Sequence, residues 1–123
     1  MSTDPGYVRQ LYAAAEAGTF VLTEEAAREC AAHFLAYAER LVAFQDQVMG
    51  ARRLAGFGGF QSAKELQAGF ESKADQGYEA FVRAERTAHQ MAAAIYRAAQ
   101  LFDEIDSANA AAQRALEKAV MER

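Results

Sequence analysis

Apolar positions recur every three or four residues along most of this chain, the rhythm of amphipathic helices. From Glu24 to about Leu54 one seam runs through Ala27, Cys30, Phe34, Tyr37, Leu41, Phe44, Val48 and Ala51, a heptad pattern sustained over more than three repeats. A second stripe lies beside it, carrying Ala31, Leu35, Ala38, Val42 and Met49. After Ser62 another seam begins: Phe70, Ala74, Gly77, Phe81, Ala84, Ala88, Met91, Ile95, Ala98, Phe102 and Ile105. Tyr78, Val82 and Tyr96 flank it as the matching second stripe. Two adjacent stripes on a helix call for two neighbours, so one seam is assigned to the partner helix in the same chain. The second stripes (Leu35, Val42, Met49, Tyr78, Val82, Tyr96), together with Ile105, are assigned to another chain.

Between the seams lies Leu54–Leu66, where Gly56, Gly58 and Gly59 interrupt a chain that is otherwise helical in pattern. Glycine costs stability inside a helix and reaches backbone angles other residues resist, so this cluster predicts a reversal. Ser62 to Glu65 fits a capping box that starts the next helix, and Phe57 and Phe60 flank the turn, placed to close its end. Upstream, Asp4-Pro5 opens a short helix with Tyr7, Val8, Leu11, Tyr12 and Ala15 on one face, and Gly18 stops it. Thr23 caps the first long helix, with Glu24 and Glu25 complementing its dipole.

The predicted architecture is therefore all-α in a single domain: a short helix over 4–18, a first arm over 23–55, a glycine-rich turn over 56–61 and a second arm over 62–120. Ser107 and Asn109 are weaker helix formers, so the second arm is expected to fray after about residue 107. Antiparallel pairing sets Leu41 near Gly77 and Phe34 near Ala84, large against small. The arms are unequal, so the stretch from Ile95 through Phe102 and Ile105 overhangs. The N-terminal helix can cover one or two turns of it and a second chain the rest, with a four-helix bundle as the dimeric form.

Composition narrows the function classes. The 123 residues are 52% hydrophobic and 24% charged, globular in balance, but much of the apolar fraction is alanine, so the body should be slender. A net charge of −4 without a basic run argues against nucleic acid. No apolar run approaches the roughly 20 residues of a membrane span, and the N-terminus lacks the pattern of a cleavable Sec signal. A cytoplasmic start without stable membrane insertion is the expectation, and export of a folded shape stays open. The single cysteine, Cys30, sits on the seam as an inert thiol.

No catalytic constellation assembles from the sequence, so no enzyme and no cofactor are expected. The three glycines do not form a phosphate loop, because no Lys-Ser/Thr follows and no strand precedes. Glu29 and His33, like Glu85 and His89, stand four apart on a helix face, and the expected register brings all four to one side. Carboxylate-bridged metal sites in bundles use Glu-x-x-His and inward projection, whereas these side chains flank the seam; exposed Glu–His pairs, and no metal, are the reading.

The turn reads Phe57-Gly58-Gly59, and near the end Phe102-Asp103-Glu104-Ile105-Asp106 reads Phe-x-x-x-Asp, followed by Asn109. In this the stretch from Thr23 to about Ala112 resembles the WXG-type (ESAT-like) helical hairpins of type VII (ESX) secretion systems, in an actinobacterial-like variant. That family carries a Trp-x-Gly turn and a Tyr-x-x-x-Asp or Tyr-x-x-x-Glu signal. Phe57 stands where the family has Trp, and Phe102 where it has Tyr, which removes a hydroxyl from the signal; the helix over 4–18 lies outside the family pattern. The resemblance implies a homodimer or heterodimer with another hairpin or a larger effector. It also implies export by a Sec-independent route, with Phe102 and Asp106 read by a secretion ATPase. Without it, the same surfaces describe a cytoplasmic coiled-coil adaptor or assembly factor and, at a distance, a metal-binding bundle. For Phe102 itself the seam position offers a plainer role, a buried packing aromatic.

Overall fold

The computed structural model describes residues 5–121. They form four α-helices: α1 (Pro5–Glu16), α2 (Glu24–Met49), α3 (Gln61–Ala98) and α4 (Phe102–Met121), with a 3₁₀ turn over Gly50–Arg52 after α2. No strand occurs among the described residues.

Local chemistry sets several of these boundaries. At the end of α1, Gly18 takes a left-handed φ of 80°. Its N–H donates to the Ala15 carbonyl at 3.2 Å, and Thr19 N–H donates to Ala14 at 3.0 Å, so the last carbonyls find donors. Thr23 Oγ1 accepts from Ala26 N–H at 3.2 Å and starts α2.

α2 and α3 run in opposite directions. Leu22 N–H donates to the Ala98 carbonyl at one end, and Arg52 Nε donates to Asp75 Oδ1 at the other, at 3.0 and 2.7 Å. The register differs from the sequence expectation. Phe44, expected beside Ala74, stacks on Phe81 with ring centroids 5.5 Å apart, two helical turns further along α3. The cause is the form of the reversal. Instead of a tight turn, residues 53–60 lie back along the first turns of α3. Leu54 N–H donates to Glu71 Oε2 at 2.6 Å, Gln67 Nε2 donates to the Leu54 carbonyl at 2.8 Å, and the Phe57 ring meets Phe70.

Only Gly56 and Gly58 of the three glycines use positive φ, at 87° and 97°. α3 begins at Gln61 after an extended Phe60 with no side-chain cap, so Ser62 lies inside the helix and the expected capping box does not form. Phe60 is largely exposed to solvent rather than closing the end.

The second arm is also not one helix. It breaks at Ala99–Leu101, where Gln100 adopts φ 57°, the one non-glycine among the described residues with positive φ. Gln100 N–H donates to the Arg97 carbonyl and Leu101 N–H to that of Tyr96, both at 3.0 Å, the bond pair of a Schellman motif. The accompanying apolar contact comes from Leu101 and Tyr96, both packed on the core. α4 then returns along α3 without ending near residue 107, and buries Ile105, Ala108, Ala112 and Ala115. Ile105, assigned to a second chain, is thus covered by this one, and so is Ile95, the seam residue at the start of the expected overhang.

α3 is the central helix, packed against α1, α2 and α4. The core joins all four: Val8 from α1, Ala27 and Ala31 from α2, Met91 to Ala93 and Ile95 from α3, Ala108 from α4. On α2 the fully buried line is Ala27, Ala31, Ala38, Leu41 and Gln45, rotated from the heptad seam. Alanines leave the contact line shallow, so the helices approach closely and bulkier side chains are pushed to the flanks. Phe34, Tyr37 and Val48 end half-buried, and Phe44 and Phe70 exposed. Tyr78 and Val82, assigned from the sequence to a partner, are core. Leu35, Val42 and Tyr96 are half-buried and Met49 exposed. Gly77 is not a close-approach point: a Cβ built there meets nothing within 4 Å.

Candidate protein-interaction face

α4 places Lys118 opposite Glu85 and is described as far as Met121, and α1 reaches α3 at Arg86 and Gln90. Below Glu85, therefore, the neighbours of α3 among the described residues are α2 and the linker, and the pair extends by about 30 Å. Its two sides differ in chemistry. One is fastened by polar contacts: Arg52 bonds Asp75 and lies 4.5 Å over the Tyr78 ring, and Glu71 accepts from Leu54 N–H.

The other side is aromatic and open. Leu66, Phe70, Gly77 and Phe81 recur at helical spacing on α3, and the Phe44–Phe81 contact brings Phe44, with Tyr37 and Val48 on its stripe, alongside them. Phe44 is 41% exposed, Phe70 54% and Leu66 55%. At about 200 Å² for each large apolar side chain, these three alone offer about 300 Å². That is the size of the largest apolar patch on a typical monomer, a patch that is often functional. Gly77 leaves an open notch in the middle of the face.

The face stands on a buried polar junction. Gln45 Nε2 donates to Glu85 Oε1 at 2.9 Å, and Lys118 Nζ donates to the same oxygen at 2.6 Å and to Gln45 Oε1 at 3.0 Å. His89 Nε2 lies 3.7 Å from the other carboxylate oxygen. Burial pushes the Glu85 acid up, but the nearby His89 ring and the hydrogen bonds from Gln45 and Lys118 outweigh it and hold the carboxyl down at about 2. One carboxylate thereby ties α2, α3 and α4 together. Neither Gln45 nor Lys118 stands out in the sequence: a polar residue inside a helical stripe has no local mark of the partner it meets.

The remaining sequence candidates are placed as follows. Glu85 is buried while Glu29 and His33 are exposed, so the four-residue cluster expected at one side does not assemble. Among the described residues, no group of three or more His, Cys, Asp or Glu side chains is placed to hold a metal. Phe57 and Gly58 sit in the linker, and Gly59 just before α3. Phe102, on the seam by sequence, is 58% exposed at the first residue of α4, because the break before it turns the ring outward; the Arg97 guanidinium lies 5.3 Å from its centroid. Asp106 is exposed one turn later.

Between α1, α3 and α4 an open recess of about 500 Å³ is lined by Val8, Arg9, Tyr12, Arg86, Gln90 and Asn109. No helix among the described residues is long and apolar enough to cross a membrane. Comparison with family models, with curated proteins and with solved structures finds no match to this chain.

Proposed function

We propose that the chain is a non-catalytic partner protein of the type VII secretion kind, which pairs with another helical hairpin or a larger effector. The observation that carries the pairing is the open aromatic face of the projecting α2–α3 half, where Phe44, Phe70 and Leu66 stay in water although their neighbours are apolar. A second two-helix element laid on this face completes a four-helix bundle, of which Phe57, Phe81 and the notch at Gly77 form part of the seam. The export half of the reading rests on Phe102 and Asp106, which project from the start of α4 one turn apart, open to a secretion ATPase.

Two measurements test the halves separately. Light scattering after size exclusion, alone and with neighbouring gene products, should show a complex that Phe70→Glu dissolves while circular dichroism stays helical. A complex indifferent to that change removes the face from the proposal. In a host with the secretion system, Phe102→Ala with Asp106→Ala should leave the protein in the cells. Undiminished export would reject the signal and return the chain to the class of resident adaptors.

A further inference from the structure

We propose that the groove receiving α4 also takes α4 of a second copy of this chain, giving a dimer with exchanged C-terminal helices. The first ground is the hinge. α3 and α4 are joined by three residues, Ala99, Gln100 and Leu101, all strong helix formers with no glycine or proline among them. The reversal depends on Gln100 holding a left-handed φ of 57°, a region that costs a residue with a Cβ. Straightened, the hinge fuses α3 and α4 into one helix over 61–121, about 90 Å long. Short strained hinges of this kind favour exchange between copies.

The second ground is what α4 gives up and regains. Its described buried side chains are Ile105 and three alanines, Ala108, Ala112 and Ala115. Specific anchoring comes from Lys118 on Glu85 and Gln45 and from Glu104 on Arg28, at 3.1 Å. A helix from a second copy, entering the same groove in the same direction about a twofold axis beside residue 100, remakes every one of these contacts. The balance then lies between relief of two hinges and the entropy of association.

The third ground is the surface at the hinge. Val21, 70% exposed, and Phe102 both stand at this end, since the chain just after Val21 bonds to Ala98. In the exchanged dimer the two bodies meet end to end here and cover them. The aromatic face lies at the opposite end, so this proposal does not rest on the pairing proposed above; Phe102 is shared with the proposed export signal, and the exchanged form covers it while the closed form presents it.

The experiment uses two charge reversals in the full chain, each carrying Phe70→Glu to silence the aromatic face. Glu85→Lys and Lys118→Glu each set like charges together in a closed monomer. In an exchanged heterodimer both α4 helices meet opposite charges. Unfolded together and refolded, the mixture should form heterodimer at least about tenfold in excess of either homodimer by native mass spectrometry, tenfold being about 1.4 kcal/mol. A chain with both reversals, which restores the pair internally, should fold as helix and serves as the control. No heterodimer from the mixture, with that control folded, overturns the proposal. Should the control not fold, Gln100→Gly decides: relieving two hinges per dimer should lower the dimer fraction of refolded protein about tenfold, and an unchanged fraction overturns the exchange.

Discussion

Glu85→Gln is the most informative single change, because it removes a charge and leaves the shape of the polar junction intact. In the native protein the Glu85 carboxyl lies at about 2, against an ordinary value of 4.5. That difference corresponds to about 3 kcal/mol of stability at neutral pH, on the order of a quarter to a half of what a small domain has in total. The sign follows from linkage. A carboxyl held below its unfolded value stabilises fully above 4.5 and loses that contribution as pH falls toward 2, with about 2 kcal/mol gone by pH 3.

Glu85→Gln should therefore unfold earlier than the wild type by about 3 kcal/mol at pH 7, roughly 10 °C in midpoint for a chain of this size. The gap should narrow to about 1 kcal/mol at pH 3. Urea unfolding followed at 222 nm, with both proteins at each pH, gives the difference directly and cancels the other carboxylates. A gap of the same size at pH 3, or none at pH 7, would refute the assignment of the depressed acid to this junction.

Two smaller changes probe the helices themselves. Gly77→Ala should stabilise the fold by about 0.5–1 kcal/mol, read as a higher midpoint in thermal melts, since an added Cβ meets nothing and alanine loses less entropy in a helix. A loss on this substitution would show that the notch at Gly77 is filled. Thr23→Ala should cost about 1 kcal/mol by removing the acceptor for Ala26 N–H, read as a lower urea midpoint with an unchanged slope.

The elements legible in the residues are those with local causes. Gly18 ends α1 and Thr23 caps α2 where the composition places them, because both act through bonds within a few positions of themselves. Ser62-Ala63-Lys64-Glu65 has an equally good local pattern and fails, since the linker is held back along α3 by Glu71 and Gln67 and the helix opens one residue earlier. The break at Gln100 was not legible. Its stop is made by Leu101 and Tyr96 closing on the core, and the helix-forming residues around it give no local signal. Of the candidate face, Phe44 was visible on one seam and Phe70 and Phe81 on the other, but that Phe44 and Phe70 face water was not.

That much belongs to the chain itself: helical periodicity, the glycines and the caps, all interactions spanning a few residues, determine that the protein is all-helical. Which stripe is core and which is face came from the folded body alone. Alanine lines give nearly equal contact at several rotations and registers, so the choice fell to longer-range contacts, above all α4 folding back to set Lys118 on Glu85.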